Sequence, residues 1–506
     1  MFKPELFNTI KNYKAKNFVE DLIAGIIVGI VALPLAIAFA IASGVGPERG
    51  LFTAIVAGFC ISFFGGSRVQ IGGPTGAFAI IVFNVVEEFG YSGLVVATLI
   101  AGVLLILLGS FKMGGLVKFI PYTIVTGFTA GIAITIATGQ IGDFFGLVPN
   151  FSEPIQFMSR SITKMPGDFL GKIIVYANSF SSINWYSTIM AITCLVIIFI
   201  WPKVTKKIPG SLVVIVLATL ADLFLKSKFG LETTTIGSRY GSIPSSLPAP
   251  SFPVIDFKII ADLFPTAISI AVLAAIESLL SAVVADGMIG TKHDSDTELI
   301  AQGIANIASP IFGGIPATGA IARTATNIKN GGRTPIAGIV HAVVLLLIMM
   351  VLGKFAVYIP MAALAAVLVS VAWNMAGLPA IRALLKGQKS DICVLIVTLL
   401  ITVFIDLTVA IEVGLGFAAF FFIKKMIDLS EVQRNRIYAE MLEDYERRRN
   451  RYTGVKISAG SRKPDMDSPG GSYIRHIRSV TNGLLLIYPV TWEKRVPIDG
   501  TPLIGL

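Results

Sequence analysis

The sequence predicts an all-α polytopic membrane protein with fourteen transmembrane segments, arranged as two inverted repeats of seven helices, and a short C-terminal tail. Hydrophobic residues make up 54% of the 506 residues, and the mean hydropathy is +0.78. Charged residues make up 14%, against about 25% in a soluble domain. The third observation is an internal repeat, which divides the chain into two halves.

The membrane spans follow from the length of the apolar stretches, because a helix needs about 20 apolar residues to cross a bilayer. Eleven stretches approach that length: 22–43, 51–65, 93–110, 118–138, 184–201, 209–226, 262–285, 335–352, 357–376, 391–406 and 409–424. Shorter apolar stretches lie at 75–86, 298–312 and 317–328. Together they predict fourteen segments.

The basic residues predict the orientation. If the chain starts in the cytoplasm and alternates sides, the inner loops hold Arg68, Lys112, Lys203, Lys207, Lys329, Arg382 and Lys424. The outer loops then hold Glu48, Glu87, Asp143 and Glu153. This asymmetry predicts that both termini are cytoplasmic, and it assigns the net charge of +10 to the inner loops rather than to nucleic-acid binding.

The repeat is clearest in two short motifs. Residues 72–79 read GGPTGAFA, and residues 313–322 read GGIPATGAIA, with two extra residues in the second copy. A second similarity links residues 107–121 with residues 351–360, which are separated by nearly the same number of positions as the two motifs. We therefore expect a cytoplasmic N-terminus at 1–20, inverted repeats at 21–228 and 229–428, and a cytoplasmic tail at 429–506. The alternative is that glycine-rich apolar helices merely look alike.

Each motif predicts a half-helix that begins in the middle of the membrane. The helix breakers are Gly73, Pro74, Thr75, Gly314 and Pro316. About a dozen apolar residues follow each motif, which span about 18 Å of helix. Thr75 and Thr318 are candidate N-caps. Two helix N-termini that point at one place would attract an anion. The alternative is a pair of kinks that only pack.

Glu277 is an acidic residue within an apolar helix, and an intramembrane carboxylate is costly and usually functional. Beside an anion site it is expected to be neutralised by H⁺ or Na⁺, with Ser281 and Thr318 as possible oxygen ligands for the cation. Arg323 faces the substrate, steadies Glu277 or reaches the inner surface. The sequence offers no other cofactor and no metal cluster.

Other polar residues are expected to be peripheral. Asp406 and Glu412 flank an outer turn, Asp296 lies near a helix start, and His293 lies on the surface of an inner loop. The segment 429–452 has the pattern of a charged, soluble helix. The sequence shows no Ser–His pairing, metal-ligand spacing or phosphate loop, so an enzyme is not predicted.

Four stretches resemble the SulP family of anion transporters, at 32–58, 63–79, 274–288 and 298–327. The resemblance covers about residues 15–430 and is similar to bacterial members that carry sulfate, bicarbonate or dicarboxylates. It implies a homodimer in the bacterial inner membrane. In each chain, a core of spans 1–4 and 8–11 would move against a gate of spans 5–7 and 12–14, as an elevator. It also implies H⁺ or Na⁺ coupling.

The resemblance implies an anion site between spans 3 and 10. The family's site falls on Gly76, Ala77, Phe78, Thr318, Gly319 and Ala320, and its span-8 acid falls on Glu277. Leu35 departs from the family, which often has Gln there. The tail resembles only the start of the family's STAS domain, at 497–506. An anion exchanger, a passive anion channel and a nucleobase permease remain alternatives.

Overall fold

The computed structural model describes residues 2–11, 13–115, 122–152, 154–157, 160–205, 209–251, 257–387, 389–405 and 407–453. The chain divides into two compact units, Met1–Lys425 and Met426–Leu506. The first unit contains all the geometry discussed below. In the second unit, the described residues belong to one helix, which ends at Thr453.

Helices dominate the described residues. They are α1 Glu5–Ile10, α2 Ala15–Ala42, α3 Pro47–Phe64, α4 Ala79–Ser110, α5 Tyr122–Gly139, α6 Ile141–Phe145, α7 Phe169–Asn178, α8 Trp185–Val204, α9 Gly210–Phe229, α10 Ile236–Tyr240, α11 Phe257–Ile289, α12 Ser295–Ile311, α13 Ile321–Lys329, α14 Pro335–Ala356, α15 Met361–Met375, α16 Leu378–Leu384, α17 Lys389–Phe404 and α18 Leu407–Thr453. Four short strands complete the fold: β1 Gly72–Gly73, β2 Ile155–Phe157, β3 Arg160–Ile162 and β4 Thr318–Gly319.

The prediction of a multi-helix membrane protein is confirmed. Among the described residues, seven helices are long and apolar enough to cross a membrane by length and composition, and three shorter helices are also apolar. A helix lies within every predicted apolar stretch. Five helices, α1, α6, α7, α10 and α16, were not predicted. The longest of them, α7, lies in the segment 139–183, which reads as a long outer loop.

The helices pack closely where glycines face a neighbouring backbone. A Cβ on Gly303 of α12 would lie 2.5 Å from the carbonyl oxygen of Gly102 in α4. A Cβ on Gly25 of α2 would lie 2.6 Å from the carbonyl oxygen of Ala337 in α14. Small residues allow such approach between apolar helices, where dispersion contacts supply the association energy.

A helix begins directly after the first motif, as predicted. A 3-10 turn at Gly76–Phe78 leads into α4, and α4 is interrupted at Gly90, where φ is 70° and ψ is −178°. That backbone conformation favours glycine. The interruption separates 79–89 from 91–110, and the first segment spans about 17 Å. The second half-helix is α13, whose 9 residues span about 14 Å.

The two motifs meet directly. Strands β1 and β4 pair antiparallel, with Gly72 opposite Gly319 and Gly73 opposite Thr318. The Ala320 N–H extends the pairing by donating to the Ile71 carbonyl at 2.8 Å. This pairing satisfies backbone groups that would be costly to leave free at membrane depth. Two segments about 240 positions apart in the sequence therefore form one structural unit.

The charged helix predicted at 429–452 is confirmed as the second part of α18, which ends at Thr453. The predicted STAS-like start at 497–506 lies outside the described residues, as does Asp406. Glu412 lies in α18, but its side chain also lies outside the description.

Candidate anion site between two broken helices

The second motif is positioned by polar side chains on α12. The Asn306 amide donates to the Ala317 carbonyl at 2.8 Å and accepts from the Ala317 N–H at 2.9 Å. The Ser309 hydroxyl donates to the Ile315 carbonyl at 2.7 Å. Thr53 of α3 accepts from the Ile315 N–H at 2.7 Å. The two inserted residues, Ile315 and Ala317, are therefore the ones that these side chains hold.

Glu298 is the centre of the same polar network, and its side chain is fully buried. Its carboxylate accepts from five groups at 2.9–3.2 Å: the N–H groups of Gly66 and Ser67, the Gln70 and Gln302 amides, and the Ser278 hydroxyl. These donors satisfy its lone pairs without a nearby cation. Glu298, which is part of α12, therefore connects the segment before β1 to α11 and α12 through hydrogen bonds.

Sequence reasoning missed Glu298. The signal was present as polar residues at 298, 302 and 306, four residues apart on one face of a helix that otherwise reads as apolar. The run was assigned to a loop and a helix start, and its polar face was not identified as buried.

Arg323 of α13 supports the first motif from the second half of the chain. It is 2% exposed, and its guanidinium donates to the Pro74 carbonyl at 2.5 Å and to the Gly72 carbonyl at 3.5 Å. The suggestion that it reaches the inner surface is therefore wrong. Among the described residues Arg323 makes no ion pair with Glu277. A Cβ on Gly73 would meet the guanidinium, and φ is 150° there, so this position favours glycine.

Glu277 contacts the first motif through Thr75. The Thr75 hydroxyl donates to Glu277 Oε2 at 3.0 Å. Thr75 holds the N-cap position of the 3-10 turn, but its side chain makes no capping hydrogen bond. The predicted N-cap position is therefore correct, but the Thr75 hydroxyl binds Glu277 instead of a backbone N–H. A hydrogen bond from a hydroxyl to a carboxylate is stronger than one between neutral groups.

Thr318 is not an N-cap, and that prediction is wrong. Helix α13 begins at Ile321, preceded by Ala320. Thr318 lies in β4, and its hydroxyl donates to the Ala274 carbonyl of α11 at 2.9 Å. Pairing with β1 keeps Thr318 and Gly319 extended, which delays the start of the helix.

The proposed cation ligands do not converge in this conformation. The Ser281 hydroxyl donates to Thr324 Oγ1 at 3.3 Å, and the Thr318 hydroxyl is bonded to Ala274. Among the described residues, Thr75 is the only one whose side chain forms a hydrogen bond with Glu277.

The backbone donors of the candidate site are at the two helix starts. Phe78 N–H donates to the Thr75 carbonyl at 3.3 Å, and Thr324 N–H makes the first helical bond of α13 at 2.9 Å. The N–H groups of Gly76 and Ala77, and those of residues 321–323, have no acceptor among the described residues. They are the free donors expected at helix N-termini.

Apolar side chains from three helices cover Gly76. A Cβ there would lie 2.8 Å from Ile136 Cδ1, 3.1 Å from Phe39 Cε1 and 3.4 Å from Met375 Sδ. Ala77 and Phe78 are fully buried. The donors of the first helix start therefore lie in a largely water-excluded place, where electrostatic attraction is stronger than in water, whereas Ile321 and Ala322 at the second start are exposed.

His293 was predicted to lie on the surface, and that prediction is wrong. Its side chain is 6% exposed, and Nδ1 lies 2.7 Å from Asp286 Oδ2. Asp296 is in the first turn of α12, as expected, and accepts from the Gly114 N–H at 2.9 Å.

Helices that begin beside a shared pair of short strands, inside a bundle of apolar helices, are typical of multi-pass membrane transporters. Residues 18–398 match the Sulfate permease family, and the chain belongs to that family. The recognition made from the motifs is therefore confirmed.

Relatives support this assignment. The chain is 42% identical over 477 residues to the putative sulfate transporter YvdB of Bacillus subtilis (strain 168), covering 94% of this chain and 86% of that protein. It is 32% identical over 425 residues to the bicarbonate transporter BicA of Picosynechococcus sp., covering 82% and 72%. Because these relatives are named as transporters, the prediction of a transporter rather than an enzyme is confirmed.

Solved structures agree. The transmembrane domain of a cyanobacterium bicarbonate transporter BicA matches with a TM-score of 0.68 and 30% identity, covering 80% of this chain and 98% of that chain. The structure of SLC26A9 matches with a TM-score of 0.73 and 20% identity, covering 83% and 68%. The second likeness supports the fold alone.

Proposed function

We propose that the chain is a secondary active transporter of small oxyanions, such as sulfate, bicarbonate or a dicarboxylate, coupled to H⁺ or Na⁺. The pairing of β1 with β4 carries the proposal, because it places both motifs side by side. The names of its relatives, a putative sulfate transporter and a bicarbonate transporter, support the substrate class.

The anion would bind between the two helix starts, lined by Gly76, Ala77, Phe78, Thr318, Gly319 and Ala320. Its donors would be the free N–H groups of residues 76–77 and 321–323. The Ala320 N–H is already bonded to Ile71, so the second half-helix would contribute the next three amides. Backbone donors at helix starts suit oxyanions of several shapes.

Glu277 would couple the anion to a cation. Its contact with Thr75 connects it to the residue just before the 3-10 turn. An ionised Glu277 would repel an anion, and an H⁺ or Na⁺ on the carboxylate would remove that repulsion. A proton is favoured over Na⁺, because the hydroxyls of Ser281 and Thr318 are bonded elsewhere.

The proposed architecture has fourteen spans in two inverted repeats, at 21–228 and 229–428, with both termini cytoplasmic. Packing supports a division into core and gate. Helices α2, α3, α4, α11, α12 and α14 pack mainly against one another. A second group comprises α5, α8, α15 and α17. Movement of the first group against the second would carry the anion across, in a protein that forms homodimers.

Uptake of labelled sulfate, bicarbonate and fumarate into proteoliposomes tests the proposal. Each anion is offered with a pH gradient, a Na⁺ gradient or neither. We expect saturable uptake of one anion that follows one gradient and loses that dependence in Glu277→Gln. Uptake that does not saturate would favour a channel, and uptake that needs a second anion inside would favour an exchanger. No uptake of any of these anions by a folded protein would contradict the proposal.

A further inference from the structure

A small cavity lies next to the candidate site, at the level of the C-terminal end of α2. Its volume is about 20 Å³, and it is lined by the first segment of α4, the end of α5 and the start of α7. Ala42, the last residue of α2, also lines it. Since α2 runs from the N-terminal face, the cavity lies towards the opposite face. A space of this size holds about one water molecule.

Ile136 separates the cavity from the site. Its side chain lines the cavity, and its Cδ1 is also the atom nearest to a Cβ built on Gly76. One apolar side chain therefore lies between the helix start and the cavity. The cavity also lies between α4 and α5, which belong to the two packing groups. Movement between these groups would widen it.

The cavity wall carries polar side chains among apolar ones. It includes Lys172, Gln140 and Asn84. The Lys172 ammonium lies 4.5 Å from the centre of the Phe83 ring. Gln140 is 5% exposed. An ammonium with two carboxamides provides several donors for an anion.

No carboxylate within the described part of the chain lies within 4 Å of the Lys172 ammonium. Glu87 acts on Lys172 from a greater distance, and it pairs with Lys164 at 3.2 Å. Asp168 also acts from a greater distance, and it caps α7 by accepting from the Gly171 N–H at 3.0 Å. The Lys172 charge is therefore not neutralised by direct contact.

We infer that Lys172, Gln140 and Asn84 form a second anion-binding subsite, through which a small oxyanion passes before or after it reaches the paired helix starts. This inference rests on the proposed function. Lys172 acts as a compact point charge that attracts the anion, and the two amides orient it. Displacement of Ile136 then connects the two sites.

The test places a cysteine at 172 in a chain whose own Cys60, Cys194 and Cys393 are replaced by Ser, Ala and Ser. The purified Lys172→Cys protein is modified before reconstitution with a methanethiosulfonate that adds either a trimethylammonium or a sulfonate group. We expect kcat/KM for uptake to fall about tenfold in Lys172→Cys, because a charge in a cleft raises the local anion concentration. The cationic reagent should restore it, and the anionic reagent should lower it further.

Lys226→Gln is the matched control, because Lys226 is exposed, is paired with Glu232 and does not line the cavity. It should leave kcat/KM unchanged, and Lys172→Arg should keep most of the wild-type value. If kcat/KM is the same in Lys172→Cys as in the cysteine-free parent, and neither reagent alters it, the proposed subsite is wrong. If the cysteine-free parent and the wild type both fail to transport, the proposed function fails instead. If the Lys172→Cys protein does not fold, the same test is made with Asn84→Cys in the cysteine-free parent. That protein is modified with the cationic or the anionic reagent, and kcat/KM is compared.

Discussion

The two breaker motifs share a sequence pattern but differ in local structure. In the first, a 3-10 turn at Gly76–Phe78 follows the proline segment directly. In the second, an extended pair at Thr318–Gly319 precedes the helix, which begins at Ile321. The second motif has two extra residues, and the structure holds both through hydrogen bonds from α3 and α12.

The difference shows that each motif depends on the other half of the chain. Arg323, from the second half, holds the carbonyls of Pro74 and Gly72 in the first motif. Thr53, from the first half, holds Ile315 in the second motif. Each motif is therefore held in part by the other half of the chain.

The largest expected difference between the motifs comes from adding one methyl group to each. In Gly319→Ala, the new Cβ would meet the Gln70 amide and lie 3.2 Å from the Ser278 backbone. We expect a lower yield of folded protein in this variant, because the buried Gln70 amide is held in place by its hydrogen bonds to Ser278 and Glu298. In Gly76→Ala, the Cβ meets the ends of flexible side chains, so we expect folded protein with reduced transport. Size-exclusion chromatography and uptake separate these outcomes, and equal yields of folded protein would contradict the comparison.

Loss of the arginine support is expected to come next. Arg323→Gln should lower the free energy of unfolding by about 2–3 kcal/mol, because hydrogen bonds from a charged donor contribute about 1.5–3 kcal/mol. Arg323→Lys should recover only part of the lost free energy of unfolding, since one ammonium cannot match the planar guanidinium that donates to two carbonyls. Unfolding by SDS titration in mixed micelles measures the effect. An unchanged midpoint in Arg323→Gln would show that the first motif holds its shape alone.

The matching support of the second motif is Asn306. Asn306→Ala should lower the free energy of unfolding by about 2 kcal/mol, because it leaves the buried N–H and carbonyl of Ala317 unpaired. Asn178→Ala is the control: Asn178 donates to the carbonyl four residues before it at 3.1 Å, as Asn306 does, but it is exposed. The control should stay within about 0.5 kcal/mol of wild type. Equal effects of the two substitutions would contradict the role of Asn306.

The smallest expected effect separates two threonines. Thr75→Val removes a hydrogen bond that stabilises the charged form of Glu277. We expect half-maximal uptake at a coupling-cation concentration about tenfold lower, since such a bond contributes about 1.5–3 kcal/mol. Thr318→Val removes only a bond to a backbone carbonyl, and it should leave that concentration unchanged. The cation dependence of uptake measures both, and the same shift in both variants would contradict the assignment of Thr75 to Glu277.

The apolar stretches and the helix starts that follow the two breaker motifs could be predicted from sequence, and Glu277 could be singled out, because hydrophobic length, proline and an acid in an apolar helix are local signals. The partners of Arg323 and three of the five partners of Glu298 could not, because those hydrogen bonds join residues more than 200 positions apart. The first residue of α13 was missed for the same reason: it is set by pairing with β1 and not by a local cap. Helix α7 was missed because its ten residues are too short to read as a span.

The central claim is that backbone amides at both helix starts bind one anion, and Ile321→Pro tests it most directly. Ile321 is the first residue of α13, where proline is tolerated and where the preceding residue is already extended. Its side chain is 45% exposed. The substitution therefore removes one N–H donor while the helix is kept, and Ile321→Val retains the donor.

Equilibrium binding of labelled sulfate, bicarbonate or fumarate to the purified protein, whichever anion is transported, is the measurement. We expect Kd to rise by about tenfold or more in Ile321→Pro, as for the loss of a hydrogen bond to a charged group, and to be unchanged in Ile321→Val. A wild-type Kd in a folded Ile321→Pro protein would contradict the claim that the second helix start binds the anion.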